Sequence, residues 1–213
     1  LSRMHCISAG CTGCARATPP SLTFDRFQPF NAATDFQPCC FIQAHQNQTQ
    51  VEQCRVGDSS VALVDIDNED SNTVSTFNAR IRNLFTMCNL DGLRVDTVKH
   101  VHQDFWPDLL SRAGVLAVRE ALDYLYNYTG AYTNVIDTVF NYPEWFNLVK
   151  AFLSPQADMG LLVTSVDLTK QDLKNGAMPA VSFSEDHDNA LHSSSIFDPT
   201  LIKSTIAWKS GGE

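Results

Sequence analysis

The chain has 213 residues, 44% hydrophobic and 18% charged, enough for one substantial core and ordinary for a folded protein rather than a disordered one. Fifteen Lys and Arg against 24 Asp and Glu leave a formal charge of −9, which argues against nucleic acid as a partner because no basic stripe exists to neutralise phosphates. The same balance argues against an anionic membrane surface, and no segment is apolar for long enough to span a bilayer.

Residues 1–64 read as irregular and loop-rich, with Pro19-Pro20, many Gln and Asn, and six of the seven cysteines: Cys6, Cys11, Cys14, Cys39, Cys40 and Cys54. With Cys88 the number is odd, so at least one is free or paired outside the chain. Cys11-Thr-Gly-Cys14, with His5 and Cys6 close by, is open to a zinc or redox reading, but a lone CxxC is a weak signal and disulfides or disorder account for it better. Asn47-Gln-Thr and Asn127-Tyr-Thr are glycosylation sequons, and with the cysteines they point to a secreted, extracellular protein. The start LSRMHCISAG lacks the basic flank and hydrophobic run of a signal peptide.

From there the pattern changes. VALVDID, residues 61–67, reads as a short strand ending in carboxylates, and Val74, Phe77, Ile81, Leu84 and Phe85 mark an amphipathic helix from Ser71. A strand follows at 92–96, a helix from Asp104 to Leu110, a strand at 115–119 and another at 134–140. Pro143 opens a helix carrying Trp145, Phe146, Val149 and Phe152 along one side. Residues 159–174 read as helical, AVSF at 180–183 as a strand, and Asp198-Pro199 as the start of a last helix. Tyr124, Tyr126, Tyr128 and Tyr132 read as a Tyr-rich loop, suited either to stacking on sugars or to packing. Strands alternating with helices mean βα units and an α/β fold with a parallel sheet.

Three of these strands end on or just before carboxylates: Asp96, Glu120 and Asp188, with Arg94 and His187 beside them. In barrels of βα units such positions converge on the face where chemistry is done. Any one of them serves equally well as a helix cap, since acids favour helix N-termini. Three at successive strand ends suggest a barrel hydrolase.

The segments FIQAHQNQTQVEQC, GDSSVALVDID, GLRVDTVKH, KHVHQDFWPDLL, NVIDTVFNYP and EDHDN, in this order along the chain, resemble the alpha-amylase family, glycoside hydrolase family 13, and most closely its secreted fungal members. The resemblance implies a partial (β/α)8 barrel carrying family strands four to seven, built from residues 65–213, preceded by a loop-rich calcium-site region at 21–64 and a divergent cysteine-containing segment at 1–20. It implies Asp96 as nucleophile, oriented and kept ionised by Arg94, Glu120 as general acid/base, and Asp188 as the third carboxylate. His187, Lys99 and His100 become sugar contacts, and Glu52, Asp65 and the His100 carbonyl become ligands of a structural Ca2+. Cys40 and Cys54 match a family disulfide, whereas Gly130 stands where a second bridge would begin.

The implied reaction is endo-hydrolysis of α-1,4-glucosidic bonds in starch, glycogen or malto-oligosaccharides by a retaining mechanism. That chemistry needs one ionised and one protonated carboxyl, about 5–5.5 Å apart, with neighbours that push their pKa values apart. Two departures stand out. Arg119 replaces a family glycine, where a cation beside Glu120 would lower its pKa, and Asp186 replaces the usual asparagine before His187-Asp188. A complete barrel has eight βα units, so the expectation extends to a piece of a longer chain, a divergent relative, or a barrel closed by self-assembly. The competing function is a catalytically inactive oligosaccharide-binding relative that keeps the acidic cleft.

Overall fold

The structure is a computed structural model that describes residues 28–38, 40–57, 63–174, 180–186, 188 and 198–211. Cys6, Cys11, Cys14, Cys39 and His187 lie outside the described residues. The chain divides into two compact units, Leu1–Leu90 with Lys99–Gly114, and Asp91–Val98 with Val115–Glu213. No described helix is long and apolar enough to cross a membrane.

The first unit holds helices α1 (Gln48–Gln53), α2 (Ser71–Cys88) and α3 (Phe105–Ala113). Helix α1 was not legible as a periodic pattern, being only six residues long. It is nucleated by Asn47, whose side-chain oxygen accepts from the Gln50 N–H at 3.3 Å, so this sequon asparagine is also a helix cap. Behind α1 the expected Cys40–Cys54 disulfide is present, its Cα atoms 4.8 Å apart. Cys88 is a free, exposed thiol. Asp70 starts α2 by accepting from the Asn72 and Thr73 N–H groups at 2.9 and 3.0 Å, and Asn89 ends it in the left-handed conformation.

Two expectations for this unit need correcting. The stretch expected as a strand at 61–67 forms, among its described residues, only an isolated antiparallel bridge between Ile66 and Phe36. Its Asp67 instead holds a turn: Oδ1 accepts from Gln37 Nε2 and from the Glu69 N–H. Helix α2 also does not bury its whole apolar stripe. Its fully buried residues are Thr73 and Asn78, while Leu84 is exposed. The contact to α3 lies in the first half of the helix, where Asn78 hydrogen-bonds Asp108 and Phe77 meets Phe105 edge-on at 5.6 Å.

The second unit is a parallel sheet with helices. Its described strands are β1 (Gly92–Val95), β2 (Leu116–Arg119), β3 (Thr138–Phe140) and β4 (Ala180–Val181), hydrogen-bonded in the order β1-β2-β3-β4. Arg94 registers with Val118, and Arg119 with both Val95 and Val139. Helices α4 (Tyr126–Tyr132), α5 (Tyr142–Ala151), α6 (Gly160–Asp172) and α7 (Pro199–Gly211) complete the unit. Consecutive parallel strands separated by helices are the expected part of a (β/α)8 barrel. Leu148, Ala151, Phe152 and Leu162 form a core cluster, against which Leu201, Ile202 and Trp208 of α7 pack.

The Tyr-rich stretch is helical rather than a loop. Tyr126 and Tyr132 are buried, Tyr128 meets Tyr132 edge-on at 5.9 Å one turn away, and only Tyr124 is well exposed. Strand β3 is shorter than the expected 134–140 because the preceding residues bond back to α4, Asn134 N–H to the Ala131 carbonyl and Ile136 N–H to that of Tyr132. Strand β4 likewise stops at Val181, before Phe183 turns into an aromatic cluster with Phe140, Tyr142 and Trp145.

Candidate active site

The ends of β1 and β2 are laced together around Asp96. Glu120 donates its N–H to the Val95 carbonyl at 2.9 Å, and Val98 donates to the Glu120 carbonyl at 2.9 Å, so one residue of the β2 exit brackets Asp96 and Thr97 from both sides. Thr97 sits at φ +52, a left-handed conformation rarely adopted by a β-branched residue. Such strain concentrates at functional turns, and here it falls on the turn that presents Asp96.

Glu120 is 5% exposed and its carboxyl is pushed up to about 7, first by burial and then by a hydrogen bond with Asp96. The Asp96 charge adds to the rise, while the hydrogen bond from Tyr142 and the charge of Arg94 oppose it. Asp96 and Glu120 are thus direct neighbours, as the two carboxyl groups of a retaining pair must be. Arg94 Nη2 donates to Glu120 Oε2 at 3.3 Å, and its guanidinium lies 5.7 Å from the centre of the Phe140 ring.

A cleft of about 140 Å³ opens here, lined by Arg94, Phe140, Tyr142, Phe183, Glu185 and Asp186. Its inward carboxylate after β4 is Asp186, 8% exposed, whereas Asp188 is exposed and donates its N–H to Asp186 Oδ1 at 3.1 Å. The segment after β4 is pinned to α5 twice. Ser182 Oγ donates to Glu144 Oε2 at 2.8 Å, and Trp145 Nε1 donates to the Ser184 carbonyl at 3.1 Å.

Tyr142 is the residue that the reading of strand ends misses. Its hydroxyl donates to Glu120 Oε1 at 3.0 Å and it also hydrogen-bonds Asp186. Burial and these carboxylates push its phenol upward, so it stays a neutral donor. The available signal was its place, two residues past the end of β3 and beside Pro143.

Arg119 does not act on Glu120 as expected. Successive residues of a strand face opposite sides, so its side chain leaves the Glu120 side, and Nη1 donates to the Ala117 carbonyl at 3.2 Å. The guanidinium is fully buried, its Nε and Nη2 have no hydrogen-bond partner among the described residues, and burial lowers its pKa to about 10 against the opposing charge of Asp137. Arg119→Met is therefore expected to stabilise the fold by about 1–2 kcal/mol, read as a higher urea midpoint, because it removes a desolvated and poorly paired cation.

The residues implied for calcium all belong to the first unit, as does Lys99, which is buried and accepts at its carbonyl from Gln48 Nε2 at 3.4 Å. Glu52 is buried with Gln48 Nε2 on its Oε1. Asp65 Oδ2 is buried without a hydrogen-bond partner, and burial lifts this carboxyl to about 7 although the Arg55 charge opposes it. His100 is driven down to about 4, chiefly by burial, and its Nδ1 donates to the Val51 carbonyl at 3.1 Å. Among the described residues no three His, Cys, Asp or Glu side chains form a metal-holding group. The buried Glu52 and the half-buried Asp65, whose Oδ2 is orphaned, are nonetheless the hard donors that calcium takes.

No protein-family model matches the chain. Similar curated proteins include alpha-amylase 1 of Lipomyces kononenkoae, 35% identical over 185 residues, and the alpha-amylase of Saccharomycopsis fibuligera, 34% identical over 188. The matches cover 87% and 88% of this chain but only 30% and 38% of those proteins, so it spans about a third of their length. Among solved structures, an alpha-amylase from Malbranchea cinnamomea is 34% identical with a TM-score of 0.83, covering 88% of this chain and 40% of that one.

Proposed function

Since the chain belongs to the alpha-amylase family, glycoside hydrolase family 13, we propose that it hydrolyses internal α-1,4-glucosidic bonds of starch or glycogen with retention of configuration. The observation that carries this reading is the buried Glu120 carboxyl, held protonated toward neutral pH directly beside Asp96. Asp96 attacks the anomeric carbon while Glu120 gives its proton to the departing glycosidic oxygen. The Glu120 carboxylate then takes a proton from water, whose oxygen displaces Asp96 from the glucosyl ester and restores both groups. Arg94 supplies the cation beside the pair, and the exposed Asp188, with His187, is assigned to sugar hydroxyls.

Glu52, Asp65 and the His100 carbonyl would hold a calcium ion, which supplies charge to satisfy the orphaned Asp65 oxygen and stiffens the disulfide-held region. The disulfide and the exposed sequon residues Asn47 and Asn127 support a secreted glycoprotein. The exposed position of Asp188 favours a second reading, an oligosaccharide-binding protein without turnover. Release of reducing ends from soluble starch by the purified chain, with calcium and with chelator, separates the two. Calcium-supported release is the expected result. Maltoheptaose binding without release by a folded chain would overturn the enzyme reading in favour of the second.

A further inference from the structure

The Tyr142 hydroxyl stands between two buried carboxyl groups. It is 3.0 Å from Glu120 Oε1 and hydrogen-bonded to Asp186, and the three residues are 2%, 5% and 8% exposed. Its ring packs edge-on against Phe183 at 5.0 Å and Phe140 at 6.5 Å, which restrains it from following either partner. Asp186 is held too, because Oδ1 accepts from the Asp188 N–H and the segment before it is tied to α5 through Ser182 and Ser184. A phenol carries one hydrogen and can donate it to only one of two carboxylates at a time. The smallest motion that exchanges partners is rotation of that hydrogen about the C–O bond.

We propose that Tyr142 is a two-position hydroxyl switch that couples Asp186 to the protonation of Glu120. This role rests on the reading of Glu120 as the proton donor. While Glu120 keeps its proton for the leaving oxygen, the phenol hydrogen points at Asp186. Once Glu120 has given that proton away, the hydrogen turns to the new carboxylate and stabilises it. No covalent bond changes in the switch itself, and the proton transferred is the one Glu120 carried. The other charged groups facing this cluster are Arg94 from β1, Asp96 just after it, and Glu185 beside Asp186. Tyr142 and Asp186 are thus positioning residues that act through Glu120.

The signs follow from which form each bond favours. A hydrogen bond to a carboxylate favours ionisation, so Tyr142→Phe raises the Glu120 midpoint. Asp186 draws the hydrogen away from Glu120, so Asp186→Asn leaves the phenol on Glu120 and lowers that midpoint by about one pH unit. The test is carbon-13 NMR titration of the glutamate side-chain carboxyls in the full 213-residue chain, with Glu120 assigned by its loss in Glu120→Gln. The expected result is a fall in the Asp186→Asn chain that vanishes when Tyr142→Phe is also present. A fall of equal size in both backgrounds, or none in either, would overturn the switch. If Asp186→Asn does not fold, the Tyr142→Phe chain decides alone, with a risen midpoint expected and an unchanged one fatal. The titration reads protonation without turnover. A failed amylase reading would therefore show as no hydrolysis with the switch intact, and a failed switch as uncoupled midpoints with hydrolysis intact.

Discussion

Glu120→Gln is expected to reduce the release of reducing ends from starch by about 10³-fold while leaving maltoheptaose binding in place. The glutamine keeps the shape of the side chain and its place under Tyr142 and Arg94, but has no proton to give. In the unaltered chain Glu120 is protonated below about pH 7, so turnover is expected to fall as the pH rises through that value. The same shift fixes a control for folding. A buried carboxyl with a raised pKa holds its proton between the ordinary glutamate range and about 7, where the unfolded chain has already released it, so it costs stability as the pH rises across that window. An uncharged glutamine escapes that cost, and the variant is expected to unfold no more easily than the parent at neutral pH. Lost turnover with an unchanged urea midpoint would thus be loss of the acid; lost turnover with a collapsed midpoint would say nothing for it.

Gly130→Ala is expected to lower stability by about 2–3 kcal/mol, read as an earlier urea midpoint with unchanged slope. Gly130 lies on α4 and is buried where that helix meets the end of α6. A Cβ built there would fall inside contact distance of the Asp172 carbonyl oxygen and carbon. Both are backbone atoms, so no side-chain rotation relieves the clash and the helices must part. The better helix propensity of alanine returns only about 1 kcal/mol. This position is also where the family resemblance puts a half-cystine, and the close approach of α4 to α6 leaves no room for one. An unchanged or later midpoint would mean that the two helices do not meet at this glycine.

The strand ends were legible because each of β1 and β2 is a short apolar run broken by a charge, and a half-buried parallel strand leaves few other readings. Helix α2 was legible from its period, yet which of its residues are buried was not, because Asn78 gains its burial from Asp108, thirty residues away. Helices α1 and α4 escaped for want of length, at six and seven residues. The Cys40–Cys54 pairing followed from resemblance alone, since spacing does not choose among seven cysteines.

The site was legible as a set of acids and not as a network. Tyr142 was hidden because Pro143 beside it carried a plain helix-start signal, and nothing local shows that a phenol will meet a carboxyl 22 residues earlier. Arg119 misled for the opposite reason. Adjacency in sequence suggested a charge beside Glu120, whereas neighbours on a strand point to opposite faces. Asp186 read as a simple replacement, although in the fold it, rather than Asp188, lines the cleft.

The central proposal is that Asp96 and Glu120 together cleave an α-glucosidic bond through a glucosyl-Asp96 ester. Proton NMR of the first product from maltoheptaose, recorded before the new reducing end mutarotates, reads this directly. Double displacement leaves that end in the α configuration, and this is the expected spectrum. A β-configured end, or no product from a chain whose circular dichroism shows it folded, would rule the proposal out.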